Sequence, residues 1–152
     1  MAIYEQLLSD LKQAMLSRDE MKTRVLRSLK AALLEKEVSL RTGGQASLTD
    51  DHVMDVLVKA SKQRNDSIEQ FEKAGRKDLA EIEREELLLI QHYLPQKLSE
   101  VELNHEVEKA LEVLGARTLQ DLGKVMGYLT PKLKGRADGA VISQLVRQKL
   151  QG

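Results

Sequence analysis

The stretch Tyr93-Leu94-Pro95-Gln96-Lys97-Leu98-Ser99-Glu100-Val101-Glu102 divides the chain. Proline lacks a backbone donor and pushes the residue before it out of the helical region, so a helix arriving from the N-terminal side must end by Leu94. Just beyond, Ser99 and Glu102 have the spacing of a capping box, in which the hydroxyl and the carboxylate each satisfy a free N–H of a helix start. Leu98 and Leu103 flank that start as a hydrophobic staple. A stop followed at once by a start predicts a boundary between two helical domains, residues 1–95 and 96–152.

On the N-terminal side the apolar residues recur every three or four positions. Ile3, Leu7, Leu8, Leu11, Ala14 and Met15 define a first helix ending near Ser17, and Val25, Leu26, Leu29, Ala32 and Leu33 a second that stops before a flexible Arg41-Thr42-Gly43-Gly44 loop. Thr49 caps a third helix whose stripe runs through Val53, Leu57, Ala60, Ile68 and Phe71 to a glycine stop at Gly75. Arg64 falls on that stripe, with its stem packed inward and its guanidinium at a carboxylate or solvent. After Asp78 a fourth helix, with Leu79, Ile82, Leu89, Ile90 and Tyr93 inward, folds back on the third because the connection is short. Glu81, Glu83, Glu85 and Glu86 are read as its solvated face.

On the C-terminal side, Leu103, Val107, Ala110, Leu111 and Leu114 form a fifth helix ending at Gly115. Thr118 caps a sixth with Leu119, Leu122, Val125, Met126 and Leu129, and Pro131 to Gly135 turn the chain. Asp138 caps a seventh with Val141, Ile142, Leu145, Val146 and Leu150. With no alternating strand pattern of useful length, the fold is all-α: an N-terminal helical hairpin-type domain followed by a small C-terminal three-helix bundle.

Composition agrees and excludes. Aromatics make up only 3% of the 152 residues, so the core is aliphatic, a palette that suits helices. The chain has no Cys, which removes disulfides, thiolate metal sites and a Cys nucleophile, and fits a reducing, cytoplasmic setting. No uninterrupted apolar run approaches a membrane span, so no membrane partner is expected. His52, His92 and His105 lack metal-pair spacing, there is no phosphate loop or dinucleotide fingerprint, and no nucleophile elbow is present. No catalytic residue, metal or cofactor is expected.

The chain is neutral overall, yet from Arg117 onward seven Lys or Arg face only Asp121 and Asp138. A cationic segment on a neutral protein points to a directed anionic partner. Lys132, Lys134 and Arg136 surround the Pro131–Gly135 turn, close to the start of the seventh helix, whose free N–H groups also favour anions. Gly123 and Gly127 sit one turn apart inside a helix, where each costs about 1 kcal/mol relative to alanine. Either a neighbouring helix packs against them or a ligand backbone approaches there. Sparse aromatics disfavour a single-strand stacking platform, and the last helix lacks a dense set of Arg, Asn or Gln suited to base edges, so structured RNA and its phosphates are preferred over DNA.

Two blocks carry a family resemblance. One runs from Ser67-Ile-Glu-Gln-Phe-Glu-Lys-Ala-Gly75 through Glu86 into Tyr93-Leu-Pro-Gln-Lys-Leu98; the other is Gly123-Lys-Val-Met-Gly127 with Gly135-Arg-Ala-Asp-Gly139. With them the chain resembles, over almost its whole length, the YqeY family, small proteins related to the C-terminal tail of the B subunit of the tRNA-dependent amidotransferase. The resemblance implies a two-part helical fold and a link to glutamine-dependent transamidation of tRNA. Family labels of carbon-nitrogen ligase with glutamine as amido-N-donor would be inherited from that tail, and no activity of the isolated chain is expected. It further implies tRNA, or a tRNA–enzyme complex, as partner, with contact at Lys124, Gly127, Lys132, Lys134 and Arg136 and, more peripherally, Arg147 and Lys149. The alternative is a protein-interaction adaptor for a synthetase or amidotransferase without direct RNA contact.

Overall fold

The apolar spacing becomes seven α-helices and no strand among the residues that the computed structural model describes, 2–41, 44 and 47–151. They are α1 (Ala2–Leu16), α2 (Glu20–Ser39), α3 (Asp50–Lys73), α4 (Lys77–Gln91), α5 (Glu100–Leu114), α6 (Leu122–Lys132) and α7 (Gly139–Gln151). The chain separates into two compact units, Met1–Leu94 and Pro95–Gly152. Each has its own core, and each is described by itself. The Thr42–Gly43 part of the expected loop lies outside the described residues.

In the first unit Leu7, Leu11 and Ala14 of α1 meet Val25, Leu26, Leu29 and Leu33 of α2, Val53 and Leu57 of α3, and Ile90 and Tyr93 at the end of α4. Full burial of each large aliphatic side chain is worth about 1.5–3 kcal/mol, which is what assembles helices that are marginal alone. Thr49 caps α3 through a reciprocal pair: its hydroxyl accepts from His52 N–H at 3.2 Å, and its own N–H donates to His52 Nδ1 at 3.1 Å. Helices α3 and α4 lie side by side across a connection of three residues, with Glu72 paired to Arg84 and Arg64, eight residues earlier, paired to Glu83 and Glu86, so they form an antiparallel hairpin.

That hairpin corrects the expectation of a solvated acidic face. Glu81 and Glu85 are exposed, but Glu86 is buried and Glu83 half-buried, whereas Ile82 is 46% exposed. The inward stripe of α4 is Ala80, Glu83, Glu86 and Ile90. The cause is Arg64, which faces α4 from α3 and places its Nε 3.3 Å from Glu86 and 3.5 Å from Glu83. A second guanidinium, Arg24 of α2, reaches the other oxygen of Glu86 at 3.3 Å. An arginine on an apolar stripe demands acids opposite it, and these displace Ile82 outward.

Three helices end in the same geometry. After α3 and α5 the chain takes the left-handed conformation at Gly75 (φ 73°) and Gly115 (φ 64°), with N–H groups reaching back to Phe71 and Glu72, and to Leu111 and Glu112. These are glycine-stopped Schellman turns. After α1 the same two bonds form, Asp19 N–H to Ala14 O at 2.9 Å and Arg18 N–H to Met15 O at 3.3 Å, but Arg18 holds the left-handed position at φ 59°. A side chain there costs on the order of 1 kcal/mol relative to glycine.

In the second unit Leu103, Val107 and Ala110 of α5, Val125, Leu129 and Leu133 at α6, and Ile142, Val146 and Leu150 of α7 form a nine-residue core. Ser99 accepts from Glu102 N–H at 3.2 Å and Glu102 from Ser99 N–H at 3.1 Å, the expected capping box. Two local expectations change. A 3-10 turn, Leu119–Asp121, precedes α6, with Leu119 45% exposed and Asp121 accepting from Arg117 and Thr118 N–H. Helix α6 also runs through Pro131 to Lys132 instead of turning there. The ring falls in its last turn and the freed carbonyl would be that of Gly127, on the exposed side, where water can satisfy it.

Candidate nucleic-acid interface

Helix α6 buries Val125 and Leu129 and turns Gly123, Lys124, Gly127, Tyr128, Thr130 and Pro131 outward. A Cβ built at Gly123 or Gly127 would meet nothing within 4 Å. Packing against α5 or α7 therefore does not explain these glycines, and the helix carries their cost on an open face. The proline ring gives no reason either, because its steric conflict is with a backbone carbonyl and not with a side chain at Gly127.

Cations stand at both ends of this face. At its start Lys124 donates to the C-terminal carbonyl of Leu114 at 3.1 Å, a position that complements the negative end of α5. At its far end Lys132 lies 3.6 Å from Glu106 of α5 and 5.4 Å from the centroid of the Tyr128 ring. Lys134 and Arg136 follow in the turn, where Gly135 supplies the left-handed φ of 79°. Arg136 is anchored twice to the segment that leads into α5: its Nε donates to Gln96 O at 3.1 Å, and its carbonyl accepts from Leu98 N–H at 2.9 Å. Asp138 accepts from Ala140 N–H at 2.8 Å, so the start of α7 already has an anion at its free donors.

The expected cations do not form one recess. Lys124 touches the end of α5 and Arg136 the segment before its start; a helix of 15 residues separates those points by roughly 20 Å. Lys149 pairs with Glu108 at 2.9 Å, on a different flank of α5 from the Glu106 that meets Lys132. Arg147 is exposed on α7 and has no hydrogen bond or ion pair among the described residues. Lys132, Lys134 and Arg136 stay together in one turn, Lys124 and Gly127 lie along the helix leading to it, and Arg147 and Lys149 are apart.

Two acids of this unit are held below the usual carboxylate range, Asp121 by the backbone N–H groups of Arg117 and Thr118, and Glu102 by that of Ser99. Glu108 is lowered as well, by its hydrogen bond from Lys149. All three remain charged at neutral pH and trim the cationic surface at its edges. Tyr128 is the contact that apolar patterning missed. The signal was present as Lys124, Tyr128 and Lys132 at four-residue intervals, one exposed stripe beside the glycines.

The family model for the Yqey-like protein matches residues 4–150. The chain belongs to the YqeY family. Its curated relatives include the fungal proteins called "Altered inheritance of mitochondria protein 41, mitochondrial". The one from Saccharomyces cerevisiae (strain YJM789) is 36% identical over 129 residues, covering 81% of this chain and 68% of that relative. Those from Lachancea thermotolerans and Pyrenophora tritici-repentis are 32% and 31% identical and cover 93% and 98% of this YqeY chain, and 78% and 79% of their own length. No helix among the described residues of this YqeY protein is long and apolar enough to cross a membrane.

Proposed function

We propose that this YqeY protein is a non-catalytic module that contacts structured RNA, tRNA foremost, through the open face of α6 and the Lys132–Arg136 turn, in the setting of glutamine-dependent tRNA amidotransfer. The observation that carries the reading is the pair of unpacked glycines, Gly123 and Gly127, flanked by Lys124 on one side and Lys132, Lys134 and Arg136 on the other. The bare stripe at Gly123 and Gly127 admits a sugar-phosphate backbone, and cations at its ends fix the register. Arg147 and Lys149 are peripheral. The resemblance to the amidotransferase B-subunit tail supplies tRNA as the specific partner and carbon-nitrogen ligation as the reaction it serves, not one it performs.

The cytoplasmic placement stands as part of the proposal, beside relatives whose names place them in mitochondria. Both compartments carry tRNA.

The test is tRNA binding by the full chain across a range of salt, against K132Q/K134Q/R136Q. The slope of log affinity on log salt should flatten by about 1 for each lost phosphate contact. An unchanged slope and affinity overturn the reading. Recovery of a synthetase or amidotransferase on the protein after nuclease treatment would instead favour the adaptor role, for which Val101, 79% exposed on α5, and Val113, 63% exposed, offer apolar contacts.

A further inference from the structure

The α1–α2 turn carries a second anionophilic feature, in the other unit and remote from the cationic tail in sequence. Met15, Arg18, Glu20, Thr23, Arg24 and Arg27 line a cleft of about 500 Å³. Its wall is written in the sequence of α2, where Glu20, Thr23, Arg24 and Arg27 fall at helical spacing on one exposed stripe. Three guanidiniums thus face one space, and Glu20 is the single acid among the lining residues. Asp19, the next nearest acid in sequence, is engaged at the start of α2, accepting from Lys22 N–H at 3.1 Å.

The three arginines are not equivalent. Arg24 is held by the buried Glu86 at 3.3 Å, which fixes its guanidinium while leaving its side chain 59% exposed. Among the described residues Arg27 has only the thioether of Met15, 3.4 Å from its Nη2, a weak acceptor for a charged donor. Arg18 has no carboxylate partner among the described residues. Yet Arg18 occupies the one left-handed helix stop among the described residues that is not given to glycine, although Gly75 and Gly115 fill the equivalent position after α3 and α5. Backbone geometry alone would choose glycine there, so what the position gains is its cation.

We propose that this cleft is a phosphate-binding site, with Arg18 and Arg27 as the binding forks, Arg24 as a pre-positioned third cation and the Thr23 hydroxyl as a further donor. Guanidinium forks match phosphate oxygens in pairs, and Met15 beside them accommodates the apolar part of an organic phosphate. The site is independent of the C-terminal interface and does not rest on it. The same chemistry serves a small phosphorylated compound or the phosphodiester of RNA.

The experiment follows backbone amides of the full chain during titration with inorganic pyrophosphate and, separately, with an RNA hairpin. Wild type should show shifts over Arg18–Arg27 with one or both probes. The variant R18G/R27Q should lose affinity by about tenfold or more. Its melting temperature guards against a folding artefact, because Arg18→Gly installs the residue that the turn prefers and should not lower it. Shifts with pyrophosphate but not RNA identify a small phosphate compound as the source of the ligand; shifts with RNA identify the phosphodiester backbone. No shift with either probe, or wild-type affinity in the variant, overturns the site. Repeating the titration on K132Q/K134Q/R136Q with each probe that shifts wild type, where the response at Arg18–Arg27 should persist, keeps this outcome separate from the fate of the tail.

Discussion

Arg64 places one Nε 3.3 Å from Glu86 and 3.5 Å from Glu83, so that a single guanidinium of α3 holds two carboxylates of α4. The two acids differ in circumstance. Glu86 is also bound by Arg24, whereas burial and the neighbouring charge of Glu86 push the Glu83 carboxyl up, against the pull of Arg64. Both contacts of Arg64 Nε are ion pairs without a hydrogen bond, and Arg64 Nε and Glu83 Oε2 are buried with no hydrogen-bond partner among the described residues.

Opposite responses to the same substitution follow. Glu86→Gln removes the charge that two arginines share and should destabilise the fold by about 2 kcal/mol in urea unfolding. Glu83→Gln should cost nothing at neutral pH and slightly stabilise. A carboxyl whose folded value is raised contributes its stability below its unfolded value, about 4.3, and loses it as pH rises through the folded one. The advantage of Glu83→Gln over wild type should therefore grow from pH 4 to pH 7, and a constant difference would contradict this account.

Tyr93 tests the alkaline side. Its hydroxyl donates to Asp10 at 2.5 Å, and burial, then that hydrogen bond, push its ionisation up. The stability it contributes is present below the unfolded value, about 10, and is lost as pH rises through the folded one. Tyr93→Phe should cost about 1–2 kcal/mol at neutral pH and abolish that part of the alkaline fall, read by thermal melts between pH 8 and about 11.

In the second unit the sign reverses. Asp121 is held low by the N–H groups of Arg117 and Thr118, so its contribution is present above its unfolded value and lost as pH falls through the folded one. Asp121→Asn should lower the melting temperature of this unit at pH 7 and approach wild type in acid. Amide exchange at Leu119–Val125 reports it locally.

Gly123→Ala and Gly127→Ala separate folding from binding. Because a Cβ meets nothing at either position, each should stabilise α6 by up to about 1 kcal/mol. On the proposed function both should weaken tRNA binding although the protein is more stable. Gains in stability with unaltered binding would leave the open face without a task.

The helices were legible because their signals are local. Thr49, Ser99 and Asp138 cap where their side chains dictate, and Gly75 and Gly115 stop helices as a residue free of Cβ allows. What escaped depends on partners distant in sequence. Burial of Glu83 and Glu86 follows from Arg64 on another helix, and Ile82 is outward for the same reason. The turn expected at Pro131 ignored that a helix tolerates the ring in its final turn. In the candidate interface a count of charges cannot say where they stand, because the positions of Lys124, Lys132, Arg136 and Lys149 around α5 are set by the bundle. The Arg18 stop is invisible to a reader who expects glycine there.

The division of buried residues into two sets, one wholly before Pro95 and one wholly after it, bears on how the chain is made. During vectorial synthesis the first set is complete before α5 exists, so that unit can close while translation continues. Leu103, Val107 and Ala110 must wait for Ile142 and Val146, some forty residues later. Over that interval α5 is an amphipathic helix with its sticky side uncovered, the stage of the protein's life most open to chaperones.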